Sequence, residues 1–152
     1  MNRPAVDAAT LVPGAAAGAP LLLDEPLSFW GGLDPVLGVI IDRRHPQRGL
    51  NVAGRMLMMP AGRGSSGGSA ILAEALRLGN GPAGILMLER DAIVVVGAIV
   101  AAELYGCGCP VALVSAQDWP ALAAASLLVV EAGPGGAKVS PELPDIERTP
   151  RE

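Results

Sequence analysis

The sequence predicts one α/β or α+β domain in which a β-rich first half packs on a βαβ-like second half, and three observations carry that expectation. Apolar runs of strand length come first, and further runs then alternate with helix-patterned stretches. The 152 residues suffice for one core and are too few for two ordinary domains. Of the apolar 51%, much is alanine, and the aromatic residues are two Trp, one Tyr and one Phe, so the core is expected to be aliphatic and packed closely around Gly and Ala. No internal repeat is visible.

Residues 1–19 are rich in Ala, Gly and Pro and are expected to be mobile, with only "AATLVPGAA" resembling a short first strand. Residues 20–132 form the expected domain. In it "APLLLDEPLSF" reads as a strand region, "GVIIDRRHPQRGL" as a strand running into a loop, and "AGRMLMMPAG" as a strand ending at Pro60. Ile71, Leu72, Ala75, Leu76 and Leu78 then recur at helical spacing, with Glu74 and Arg77 together on another face and Gly79 as the stop. "AGILMLE" is a buried strand. Asp91 is the N-cap expected for a helix from Ala92 to Tyr105; "AIVVV" alone favours strand, but the length, the small residues and the "GCGCP" stop favour helix. "PVALVS" is a short strand, "DWPALAA" a helical turn or two, and "SLLVVEA" a closing strand. Residues 133–152 read as a disordered, proline-rich tail.

The net charge of −4 and the scattered basic residues argue against a nucleic-acid surface, which would need a basic patch with stacking aromatics. No membrane span is expected: the longest apolar run, Ala92 to Ala102, is broken by Gly97 and falls well short of a bilayer, and no apolar signal core opens the chain. A cytoplasmic protein is the expectation. Cys107 and Cys109 cannot complete a four-ligand zinc or iron–sulfur site, so no metal is assigned to this chain; they read as small buried residues at a strand entry.

"MPAGRGSSGGSAILAEALRLG", from Met59 to Gly79, sets glycines, an arginine and two adjacent serines before a patterned helix. Glycines let a backbone approach a ligand, and a helix start offers free N–H groups to an anion. No G-K-[ST] follows, a βαβ dinucleotide setting is lacking, and a hydrolase elbow would need G-x-S-x-G and a histidine partner, whereas the sole His45 lies in a proline-flanked loop. Two readings stay open. The loop is a flexible turn whose last serine caps the helix, or its serine is a base whose alkoxide is stabilised by backbone dipoles and by Arg63.

"FWGG-x-D", "G-x-IID-x-x-HP", "G-x-x-x-x-GR-x-L-x-x-P-x-GRGSS" and "AAELYG" follow one another along the chain. With these motifs in this order, the chain resembles the small, swivelling domain of the aconitase X family over roughly Leu21 to Val114. The resemblance implies a swivelling β/β/α fold and a separate small subunit, docked so that the serine loop closes over a small carboxylate substrate. An iron–sulfur cluster would be bound by the large subunit, whose iron would take the departing hydroxyl. The family's catalytic serine falls on Ser65, which would remove the proton α to a carboxylate. Gly64, Ser66 and Arg63 would hold that carboxylate. Trp30, Gly31, Gly32, Asp34, Asp42 and His45 are expected in turns or at the subunit interface rather than in catalysis. "GCGCP" and the tail depart from the family's pattern. Two activities are implied, dehydration of cis-3-hydroxy-L-proline and of mevalonate 5-phosphate. One lysine against ten arginines suits a GC-rich bacterial genome and favours the first. A regulatory or scaffolding subunit is the non-enzymatic alternative.

Overall fold

The computed structural model describes residues 3–143. Its strands are β1 (Val6–Val12), β2 (Gly14–Gly18), β3 (Pro20–Leu22), β4 (Leu33–Asp34), β5 (Val39–Ile40), β6 (Met56–Met58), β7 (Gly84–Met87), β8 (Val111–Leu113), β9 (Leu127–Gly133) and β10 (Gly136–Glu142). The helices are α1 (Phe29–Gly32), α2 (Gly68–Arg77), α3 (Ala92–Tyr105) and α4 (Trp119–Ala123). Eight strands form one sheet in the order β2-β9-β10-β1-β8-β7-β6-β3, and β4 and β5 pair separately. The half from β2 to β8 is antiparallel, while β8, β7, β6 and β3 run parallel.

β2 and β3 lie at opposite edges of that order, yet only Ala19 separates them in the chain. The sheet must therefore curl until its two edges meet. Contacts across the seam agree: the Met56 N–H donates to the Ala19 carbonyl at 2.9 Å, and a Cβ on Gly18 would stand 2.6 Å from the Gly54 carbonyl oxygen. Strand alternation then feeds two cores. Leu57, Met59, Ile85 and Met87 pack toward α2 and α3, while Met56, Met58 and Leu86 face Leu122 and the antiparallel strands through Leu128, Val130 and Val139. Strands covered on both faces read as continuous apolar runs, as "MLMM" and "GILM" do.

The mixed α/β class and both long helices agree with the sequence. Asp91 caps α3, its carboxylate accepting from Val94 N at 2.9 Å, and Gly106 ends the helix in the left-handed region at φ 66°. α2 stops before Gly79, at φ 77°, and carries the Glu74–Arg77 pair on its exposed face, with Arg77 Nε 2.8 Å from Glu74 Oε2. The arginine holds the Glu74 carboxyl below the ordinary carboxylate range.

Both ends differ from expectation. Residues 6–18 are two strands of the main sheet, and the first part of the expected tail is β10, inserted between β9 and β1. "SLLVVEA" is thus not the closing strand. The signal was weak because the alternating inward positions of β10, Ala137, Val139 and Pro141, are small or proline. Pro141 is tolerated because β1 pairs no further than Val139, leaving β9 as its one neighbour. The rest of the expected tail, 144–152, lies outside the described residues. "APLLLDEPLSF" supplies only the three residues of β3 before the chain turns away.

α2 and α3 cross at Gly97, where a Cβ would stand 2.8 Å from the Ser69 carbonyl oxygen and 3.1 Å from a Leu72 methyl. Gly97→Ala should cost about 1–3 kcal/mol by overpacking this crossing. Urea unfolding of the chain measures it, and an unchanged midpoint would show that the two helices part freely.

Candidate active site

The parallel register places the site. Leu22, Met58, Leu86 and Ala112 form one row across β3, β6, β7 and β8, so the segments that follow them all leave the same edge of the sheet. Ligands of parallel sheets bind at such carboxyl ends. Here they are the Asp24–Ser28 segment, the Met59–Gly67 loop, the Leu88–Asp91 turn and the loop after Val114.

The Gly-rich loop is held from both sides. Gly62 bridges to Leu27, and its α-carbon lies against the Asp91 carboxylate, with no room for a Cβ. Gly64 takes φ 95°, and a Cβ there would collide with the Ser28 side chain, which itself donates to the Trp30 carbonyl at 3.1 Å. Gly67 rests on the indole of Trp30, a ring 58% exposed. These glycines serve close packing, and Gly64 also a left-handed turn.

Ser65 is exposed at the start of α2. Its Oγ accepts from Gly67 N at 3.2 Å and its carbonyl from Gly68 N at 3.0 Å, while the Ser66 carbonyl takes Ser69 N at 3.2 Å. Ser69 Oγ turns away to donate to the Ile93 carbonyl at 2.7 Å, tying α2 to α3 instead of capping its own helix. α2 therefore has no side-chain cap: its N-cap residue is Gly67, and Ser65 Oγ closes the turn just before it. The amides of Gly64, Ser65 and Ser66 meet no acceptor among the described residues, leaving three donors at the positive end of a ten-residue helix.

Arg63 lies between two carboxylates, its Nη2 3.2 Å from Glu25 Oε1 and 3.6 Å from Asp42 Oδ2. Glu25, 38 residues away, was invisible as a partner in the sequence because only the β3–β6 register brings it there. His45 is 3% exposed and satisfied entirely by backbone: Nδ1 accepts from Gln47 N at 3.1 Å, so Nε2 carries the proton and donates to the Glu25 carbonyl, also at 3.1 Å. Asp34 Oδ1 accepts from Val36 N at 2.8 Å in its turn. His45 and Asp34 therefore serve the backbone.

A metal cluster does not fit the described residues. Cys109 is buried, and burial pushes its thiol up to about 12; Cys107 is half-buried; no three His, Cys, Asp or Glu side chains converge as ligands among the described residues. No helix of the described residues is long and apolar enough to cross a membrane.

A curled mixed sheet with a serine-bearing glycine loop at the carboxyl ends of its parallel strands defines a swivel-type domain. The family model of the aconitase X swivel domain matches residues 5–139, and the chain belongs to that family. It is 50% identical over 103 residues to the cis-3-hydroxy-L-proline dehydratase of Pseudomonas aeruginosa, covering 68% of this chain and 18% of that protein. To the phosphomevalonate dehydratase small subunit of Methanothermobacter thermautotrophicus it is 38% identical over 96 residues, covering 63% of this chain and 73% of that one. The crystal structure of Thermococcus kodakaraensis aconitase X in its holo-form superposes with a TM-score of 0.74 at 28% identity, over 91% of this chain and 98% of that one. The chain thus spans less than a fifth of the Pseudomonas enzyme and most of the archaeal small subunit.

The cysteine environments make a direct expectation. At pH 8 a thiol reagent should label Cys107 in the folded chain and reach Cys109 only on unfolding, since the buried thiol is both shielded and un-ionised. Equal labelling of both in the native chain would contradict this burial.

Proposed function

We propose that this chain is the serine-bearing small subunit of a cytoplasmic aconitase X hydro-lyase that dehydrates a small 3-hydroxy carboxylate. The substrate favoured is cis-3-hydroxy-L-proline, which loses water to give 1-pyrroline-2-carboxylate. The observation that carries the reading is an exposed Ser65 whose Oγ already accepts a backbone N–H at the positive end of α2. An alkoxide there is favoured by that bond and by the helix dipole. Ser65 takes the proton α to the carboxylate. Charge then builds on the carboxylate, where the open amides of Gly64 and Ser66 and the remaining N–H groups of Arg63 receive it.

The 50% identity to a hydroxyproline dehydratase supports the choice of substrate. Mevalonate 5-phosphate is the second reading, favoured by the 38% identity to the archaeal phosphomevalonate dehydratase small subunit. An iron–sulfur cluster belongs to the proposed large partner. The two cysteines here do not fit one, and no step assigned to this chain runs through it.

Purified alone, the chain should be colourless and inactive on either substrate; turnover by it would overturn the division between subunits. In the assembled enzyme Ser65→Ala should lower the dehydration rate by about a hundredfold or more, the range of a lost general base, and should slow exchange of the α-proton with solvent deuterium. Ser66→Ala should cost less, because one hydrogen bond to a developing charge is lost and the base remains. Near wild-type turnover and exchange in assembled Ser65→Ala would return the loop to a plain turn before α2, and the chain to a scaffolding role.

A further inference from the structure

A carboxylate grip by Arg63 depends on where its guanidinium points. Both acids meet a single nitrogen, Nη2, at 3.2 Å from Glu25 and 3.6 Å from Asp42. A guanidinium is a rigid planar fork of five N–H donors, so holding Nη2 constrains the plane, and Nε and Nη1 meet no acceptor among the described residues. Each acid is itself anchored. Asp42 Oδ1 accepts from Arg44 N at 3.0 Å. The Glu25 carbonyl takes the proton of buried His45, and neighbouring Asp24 exchanges two bonds with the Gln47 side chain, at 2.7 and 3.0 Å.

Stability does not account for two acids on one arginine. The Arg63 and Glu25 side chains are 43% and 39% exposed, and ion pairs so exposed contribute little. Two carboxylates also over-neutralise the arginine, so bulk attraction for an anion is not what the cluster offers. It offers a preset direction for the donors left over, as outer partners do for ligating side chains elsewhere.

We propose that Glu25 and Asp42 are positioning residues that orient Arg63 so that its free N–H groups meet the substrate carboxylate beside Ser65. The proposal rests on the catalytic reading of Ser65 and Arg63 above. Both acids are at least partly exposed, so their truncation should leave the fold intact.

A double-mutant cycle in the assembled dehydratase tests it. Glu25→Ala and Asp42→Ala should each lower kcat/KM by about tenfold, and Arg63→Ala by as much or more. In an Arg63→Ala background Glu25→Ala should add nothing, because its effect passes through the arginine. Multiplying losses would overturn the proposal. A readout free of turnover comes from the side-chain nitrogen NMR resonances of Arg63, which should show hindered guanidinium rotation in the wild-type chain and free rotation in Glu25→Ala. Unchanged rotation, or freed rotation with unchanged kcat/KM, would also overturn it. Intact turnover in Ser65→Ala beside a freed guanidinium and a non-multiplying cycle would remove the base assignment and leave the positioning role standing.

Discussion

Everything in this domain follows from a single covalent constraint, the passage of the chain from one edge of its main sheet to the other across Ala19. One residue spans no more than a few ångströms. The edges must touch, the sheet must close on itself, and β6, β7 and β8 are left with an inner and an outer apolar face. The inner face is filled by the antiparallel half and α4, the outer by α2 and α3. Closure also removes most of the open strand edge that would invite pairing with another chain.

Closure orders the site as well. With four strands parallel and in register, the segments after β3, β6 and β7 leave together, so Glu25 meets Arg63 and Asp91 meets Gly62 although they are far apart in sequence. The glycines of "GRGSSGG" then have separate tasks. Gly62 yields to a carboxylate, Gly64 turns the chain against Ser28, and Gly67 lies on Trp30. A loop so held is not a flexible linker. Its rigidity leaves the amides at the head of α2 open and the Ser65 hydroxyl outward, an arrangement that costs no reorganisation when negative charge appears nearby.

The histidine and the acids of the matched motif are explained by the same closure. His45 uses both ring nitrogens on backbone and so locks the 42–47 loop to the segment carrying Glu25. That lock places two carboxylates on Arg63. A motif that reads in sequence as scattered signature residues becomes one connected brace around the serine loop.

Local patterns alone determined much of this protein. The α2 and α3 helices, the Asp91 cap, the stops at Gly79 and Gly106 and the short buried strands were legible because helical spacing, capping chemistry and apolar runs act within a few residues. The place of Ser65 in an exposed turn before α2 was legible because the glycine–serine run directly precedes a helical apolar pattern. Tertiary structure alone decided the rest. β2 is built on Ala and Gly alone and β10 sets Gly136, Ala137 and Pro141 among polar residues, so they leave little periodic signal, and they become strands because β9 and β1 complete their hydrogen bonds. The partners of Arg63 and the packing of Gly62 on Asp91 depend on strand register, a relation between segments tens of residues apart that no local pattern encodes.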